Sequence, residues 1–115
     1  MHELSIAESI LETARAEARS RTNMRLTRIG IRIGELAGVD PDALGFCFAA
    51  LVKETDLEKC VLEIESVPRR HACPGCGERF VVRDFETRCP KCGAAGTRLI
   101  SGNELEFAQL EMEEV

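Results

Sequence analysis

Two short segments, Cys73-Pro74-Gly75-Cys76-Gly77 and Cys89-Pro90-Lys91-Cys92-Gly93, decide how this 115-residue chain is organised. Each is a Cys-x-x-Cys pair with proline after the first thiol and glycine after the second, and twelve residues separate the pairs. Proline stiffens the turn between two thiols, and glycine can take the positive φ that curls the chain back over the sulfurs. Paired knuckles at this spacing bring four thiolates to the corners of one tetrahedron, which suits Zn²⁺ at Cys73, Cys76, Cys89 and Cys92. A catalytic zinc keeps one position for water, whereas four thiolates close the shell, so the expected ion is structural. A rubredoxin-like iron site and a redox dithiol are the competing readings of the same residues. His71, two residues before Cys73, is an alternative ligand or a supporting group, and Cys47 and Cys60 read as small apolar side chains.

The knuckles divide the chain into a metal-stapled insert, residues 68–101, and a discontinuous body, residues 1–67 and 102–115. Within the body, Ile6, Ala7, Ile10, Leu11, Ala14 and Ala18 recur at helical spacing, which predicts a helix from about Ser5 to Ser20. Ser5-Ile6-Ala7-Glu8 fits a capping box at its start. Residues 26–33 alternate Ile29, Ile31 and Ile33 with Arg28, Gly30 and Arg32, the pattern of a strand with one buried and one wet face. Asp40-Pro41 reads as a cap and first position of a second helix, whose inward stripe is Leu44, Cys47, Phe48, Leu51 and Val52. Val61 to Val67 alternates again. In the insert, Phe80 to Val82 and Thr97 to Ile100 read as strands. After a turn at Ser101-Gly102-Asn103, Glu104 to Met112 reads as the last strand. Leu105 and Phe107 share one parity there while Leu110 and Met112 share the other, so a bulge near Ala108–Gln109 is expected. The expected fold class is α+β, with two helices packed on a three-stranded mixed sheet and an inserted tetra-cysteine zinc ribbon.

The charge is unevenly placed. Residues 68–100 hold seven basic and three acidic side chains, +4, and the remainder holds eight and seventeen, −9. A basic zinc ribbon invites a nucleic-acid reading. Zn²⁺ with four thiolates carries −2, however, so part of the flanking positive charge is explained by the metal. The absence of Trp and Tyr removes the strongest stacking side chains. No apolar run approaches the ~20 residues that span a bilayer, and the first residues do not read as a signal peptide. Thiols in metal spacing favour a reducing compartment, so a cytoplasmic protein is expected. No nucleophile–base pair or phosphate-binding loop stands out, so an enzyme is not expected.

Met1-His2-Glu3 carries separate chemistry. A free α-amine titrates near pH ~7.7–8. The amine, the His2 amide nitrogen and the His2 imidazole can wrap one metal in fused five- and six-membered rings. Ni²⁺ and Cu²⁺, which favour square-planar nitrogen donors, can displace amide protons there. Glu3 can add charge or an oxygen ligand.

Met1-His2-Glu3-Leu4-Ser5, Arg32-Ile33-Gly34-Glu35, Leu44-Gly45-Phe46-Cys47-Phe48, the paired knuckles and Ser101-Gly102-Asn103-Glu104-Leu105 together resemble the HypA family of hydrogenase-maturation nickel chaperones, across essentially the whole chain. The resemblance implies nickel cargo bound through Met1, His2 and Glu3, and structural zinc at the four cysteines. It also implies delivery to the large subunit of [NiFe]-hydrogenase with a GTP-hydrolysing partner protein, and in some members supply to urease. Some members carry a histidine just after the second cysteine of a pair; Gly77 and Gly93 stand there in this chain, so zinc-site histidines that sense acid are not expected. The expected state is a monomer or weak homodimer with no nucleic acid and no membrane insertion. The alternative from another class is a zinc-ribbon nucleic-acid-binding module.

Overall fold

A computed structural model describes residues 2–115; Met1 lies outside the described residues. The elements run α1 (Glu3–Arg19), β1 (Met24–Gly34), α2 (Pro41–Val52), β2 (Val61–Val67), β3 (Arg70–Ala72), β4 (Arg79–Val81), β5 (Arg98–Ser101) and β6 (Leu105–Glu114). They form two three-stranded sheets, ordered β2-β1-β6 and β4-β3-β5. Among the described residues the chain separates into two compact units, one of residues 1–32, 38–65 and 106–115, the other of residues 33–37 and 66–105.

In the first unit the ion pairs give the strand directions. Arg25, Arg28 and Arg32 of β1 meet Glu113, Glu111 and Glu106 of β6, a descending series that makes the pair antiparallel. Arg28 and Arg32 also meet Glu63 and Glu65 of β2, an ascending series that makes that pair parallel. A basic central strand thus lies between two acidic ones, and the sheet is mixed. Each exposed pair contributes little, about 0–1 kcal/mol. Their combined effect is to favour one register, because a one-residue slip would turn the arginines to the opposite face. That face carries Ile29 and Ile31, both fully buried. Ala7, Ile10, Leu11 and Ala14 of α1 and Leu44, Phe48 and Val52 of α2 are buried with them, so the two helices cover one side of the sheet.

Asp40 caps α2 as its position before Pro41 predicts: its Oδ1 accepts from the amides of Asp42 (3.0 Å) and Ala43 (3.4 Å). The expected capping box at Ser5–Glu8 does not form. α1 begins at Glu3, two residues earlier, with the Ile6 amide bonded to the His2 carbonyl. Glu3 then lies in the first turn, where its carboxylate suits the helix dipole and receives the Asp40 amide at 3.1 Å. That bond ties the first turn of α1 to the residue that caps α2, but it caps no amide of α1. In β6, Gln109 lies against Gly30 and Glu106 reaches Arg32, while Phe107, Leu110 and Met112 line one cleft with Thr13 and Glu17 of α1. One extra residue is therefore accommodated between Phe107 and Leu110, as the change of parity predicts.

The second unit has a strand the sequence pattern does not reveal. β3 pairs antiparallel with both β4 and β5 and is the centre of the small sheet. Residues 33–37 belong to this unit, which the division at 68 and 101 assigns to the body. Their backbone explains the grouping. Gly34 N–H donates to Glu104 O, Glu35 N–H to Val67 O and Leu36 N–H to Gly102 O, at 2.6–2.9 Å, so the segment stitches together the chain entering and leaving the ribbon. A Cβ on Gly34 would lie 2.1 Å from the Gly102 carbonyl, so three backbones meet where no side chain fits.

Gly34 and Gly45 therefore predict opposite results. Gly34→Ala overpacks this junction and should cost roughly 1–3 kcal/mol. A Cβ on Gly45, inside α2, meets nothing within 4 Å. Gly45→Ala should stabilise by roughly 0.5–1 kcal/mol in urea unfolding of the metal-loaded protein.

Candidate metal centres

The four knuckle cysteines converge. Their sulfurs all lie within 4.8 Å of one another, with Cys73–Cys92 at 3.6 Å and Cys76–Cys89 at 3.5 Å. Tetrahedral Zn–S bonds of ~2.3 Å require sulfurs about 3.8 Å apart, so the cluster fits a zinc site. The two knuckles have the same turn. Gly77 N–H donates to Cys73 O and Gly93 N–H to Cys89 O, both at 2.8 Å, with φ of 80° and 76° at the two glycines. The positive φ is why glycine follows the second cysteine of each pair.

The same turns aim backbone amides at sulfur. The Cys76 amide draws the Cys73 thiol below its ordinary value, and the Cys92 amide draws Cys89 down to about 7, against burial in both cases. The second thiol of each pair goes the other way. Against the pull of the Glu78 amide, the neighbouring Cys89 sulfur and burial push Cys76 up to about 12. Against the Ala94 amide, the Cys73 and Cys89 sulfurs raise Cys92. Four sulfurs this close cannot all ionise alone; a divalent cation supplies the missing charge and releases the remaining protons. Cys73 and Cys89 are buried, while Cys76 and Cys92 face solvent.

His71 is not among the converging groups. It is 5% exposed and both ring nitrogens are used elsewhere. Arg69 Nε donates to His71 Nε2 at 3.2 Å, so the ring proton sits on Nδ1 and is donated to Thr97 Oγ1 at 2.9 Å; that hydroxyl in turn donates to the Thr87 carbonyl. Burial first, and the Arg69 charge second, depress the imidazole pKa and hold it neutral. The ring also lies tilted against Phe80, with centroids 6.2 Å apart. His71 is thus a ribbon-core residue that ties β3 to β5 and to the segment before Cys89. Its place beside Cys73 left a ligand, a supporting group and a solvated side chain all open, and its partner Thr97, 26 residues on, carries no local signal. Cys47 is half-buried and Cys60 buried, where burial pushes its thiol up.

At the other end, His2 is exposed, extended (φ −96°, ψ 105°) and makes no side-chain capping bond. Glu3 is half-buried, and the Asp40 amide holds its carboxyl below the usual range. A carboxylate lowered by folding adds stability above its unfolded pKa and loses it as pH falls, so this contact loosens only in acid. Asp40, which caps α2 and tethers Glu3, is the residue the sequence pattern placed at a helix start without revealing its second partner. Met1, expected to supply the amine, lies outside the described residues.

The family model described as "Hydrogenase/urease nickel incorporation, metallochaperone, hypA" matches residues 1–112. The hydrogenase maturation factor HypA of Geobacter metallireducens is 45% identical over 113 residues, covering 98% of this chain and all of the relative. That of Prosthecochloris aestuarii is 38% identical with the same coverage. Among solved structures, a solution structure of a HypA protein superposes with a TM-score of 0.69 at 25% identity, covering 98% of this chain and 97% of the other. The nickel metallochaperone HypA from Helicobacter pylori gives 0.64 at 24% identity over the whole of both chains. The chain belongs to the HypA family of nickel metallochaperones in hydrogenase/urease nickel incorporation.

The cluster and the histidine separate in one experiment. Cys73→Ser should lose the ribbon metal. His71→Ala should retain one ion per chain while lowering ribbon stability by about 1–3 kcal/mol, because Thr97 and Arg69 lose a buried partner. Metal content by elemental analysis and amide exchange across residues 70–101 read the two effects.

Proposed function

We propose that this HypA-family chain carries Ni²⁺ on Met1, His2 and Glu3 and hands it to the large subunit of hydrogenase, while Zn²⁺ on Cys73, Cys76, Cys89 and Cys92 is structural. The supporting observation is the family match, which includes the first three residues, together with an exposed His2 that α1 does not use as a side-chain cap. The donors are the α-amine, the backbone amide nitrogen and the His2 imidazole. The ionised amide cancels one of the two charges of the dication, which lessens its repulsion from the positive end of α1. Glu3, anchored by the Asp40 amide, adds negative charge at the same helix end.

The two metals then have opposite kinetic requirements. Four thiolates on a folded ribbon hold zinc closed. A terminus of few residues holds nickel where an incoming protein ligand can displace one donor at a time. The chain acts by ligand exchange and not by catalysis, in the cytoplasm, with a GTP-hydrolysing partner protein that assists insertion; urease is a second acceptor of the same chemistry.

The claw uses backbone nitrogen, so it is sensitive to what precedes it. A Gly-Ser extension before Met1 removes the free amine and should weaken Ni²⁺ by more than the about 10–100-fold seen when outer partners of metal ligands are lost. His2→Ala should do the same. Both should keep one zinc per chain and the circular dichroism of the parent. Ni²⁺ titration of untagged protein with zinc analysis checks this, and parental nickel affinity in the extended protein would overturn the proposal.

A further inference from the structure

The two helices of the first unit meet water differently. α1 is charged there, at Glu8, Glu12, Glu17 and Arg19. α2 has no charged residue from Ala43 to Val52. Leu44, Phe48 and Val52 form its buried side. The opposite side carries Asp42, Phe46, Ala49 and Lys53, all exposed, at i, i+4, i+7 and i+11, with Gly45 and Ala50 on the flanks. Phe46 is 77% exposed. A helix that is apolar all round is normally enclosed, and among the described residues nothing encloses this face.

The spacing of the stripe identifies its occupant, because the stripe is its own complement. When a second copy lies antiparallel, turned about a point midway between residues 47 and 48, Phe46 falls opposite Ala49 of the second copy and Gly45 opposite its Ala50. The same rotation puts Asp42 opposite Lys53 of the second copy, twice over. Neither Asp42 nor Lys53 has an ion-pair partner among the described residues. Each α2 also sets its positive end beside the other's negative end. A helical phenylalanine leans over the turn before it, which here carries the ring onto the small residue Ala50 and the stem of Lys53 of the second copy. Small side chains at the crossing let two helix axes come close. A parallel copy would set Asp42 against Asp42 and Lys53 against Lys53. A lipid surface calls for a row of Lys and Arg beside the apolar face, and α2 has a single cation, at its end.

We propose that the outer face of α2 is the contact of a homodimer, in which two copies of this chain pair antiparallel through Phe46 and Ala49, with Asp42 and Lys53 closing both ends. Two facing three-turn helices fall short of the about 1,200 Å² of a standard stable interface, so the dimer is weak and depends on concentration. The Asp40–Glu3 contact lies at the start of α2, so the pairing sets the two such contacts at opposite ends of a helix pair about 18 Å long. The dimer does not rest on what the N-terminus carries, and its test uses no nickel.

Sedimentation equilibrium of untagged, full-length, zinc-loaded protein, from micromolar to millimolar chain, reads the pairing. The parent should dimerise. Phe46→Glu should associate at least about tenfold more weakly, as loss of a buried aromatic at a contact does, with parental zinc and circular dichroism. Phe85→Ser, which removes a ring 88% exposed elsewhere on the chain, should dimerise as the parent does. Asp42→Lys and Lys53→Asp should each self-associate more weakly, because like charges then face each other at both ends. Mixed together they should pair several-fold more tightly than either alone, and high salt should shrink that difference. A parent that stays monomeric throughout, parental dimerisation of Phe46→Glu, loss of the dimer in Phe85→Ser, or charge variants that gain nothing on mixing would each overturn the proposal. So would a monomeric parent that binds phosphatidylglycerol vesicles through Phe46.

Discussion

The constraint that organises the second unit is the approach of four sulfurs to within 4.8 Å of one another. Its buried side chains are few: Ile33, His71, Ala72, Val82 and the two cysteines Cys73 and Cys89. That is too little apolar surface to offset the conformational entropy of ordering some forty residues, which costs on the order of 1–2 kcal/mol each. Small units of this kind use a metal in place of a core. The knuckle turns are built to meet the requirement, since the hydrogen bonds that close them also point amides at sulfur. The first unit needs no such support, because α1, α2 and β1 bury a continuous apolar layer.

Legibility in the sequence followed how local the cause is. The thiol cluster, the α2 cap at Asp40, the limits of β2 and the parity change in β6 are set by residues within a few positions of one another, and all are readable from the chain. The start of α1 was not: the helix begins at Glu3, ahead of the Ser5–Glu8 pattern, and Glu3 receives an amide 37 residues away that leaves no local signal. β3 was invisible for a related reason. Three residues, one of them a histidine, have no period to detect, and only pairing on both sides makes them a strand. The junction of residues 33–37 with 67–69 and 101–105 likewise comes from backbone bonds, which leave no mark on side-chain pattern apart from Gly34 and Gly102.

The metal sites divide along the same line. The ribbon site is legible because its geometry is covalently encoded by Cys-x-x-Cys spacing. The proposed N-terminal site is nearly silent, since all the donors proposed for it but one are backbone and present in every protein. Only the family resemblance raises His2 above an ordinary exposed histidine. The structure adds a fact the pattern lacked: Glu3 is committed to Asp40 by one carboxylate oxygen. Glu3 is therefore positioned by the fold, while the His2 imidazole makes no side-chain capping bond.

Phe85 shows the opposite relation between sequence and stability. Much of the chain is locally consistent, with Asp at a helix cap and arginine facing glutamate across strands, but positive φ falls on Asn23, Glu54, Asp84 and Phe85 as well as on five glycines. A natural sequence departs from such consistency where another requirement outweighs it. The knuckles show that this ribbon uses glycine wherever the backbone turns left-handed next to a thiol, at Gly77, Gly93 and, shortly after, Gly96. The hairpin at Asp84–Phe85 is the place where the same backbone demand is met by an aromatic side chain. The exception cannot be attributed to zinc binding, since the ring takes no part in the cluster, nor to packing, since it is almost wholly in water.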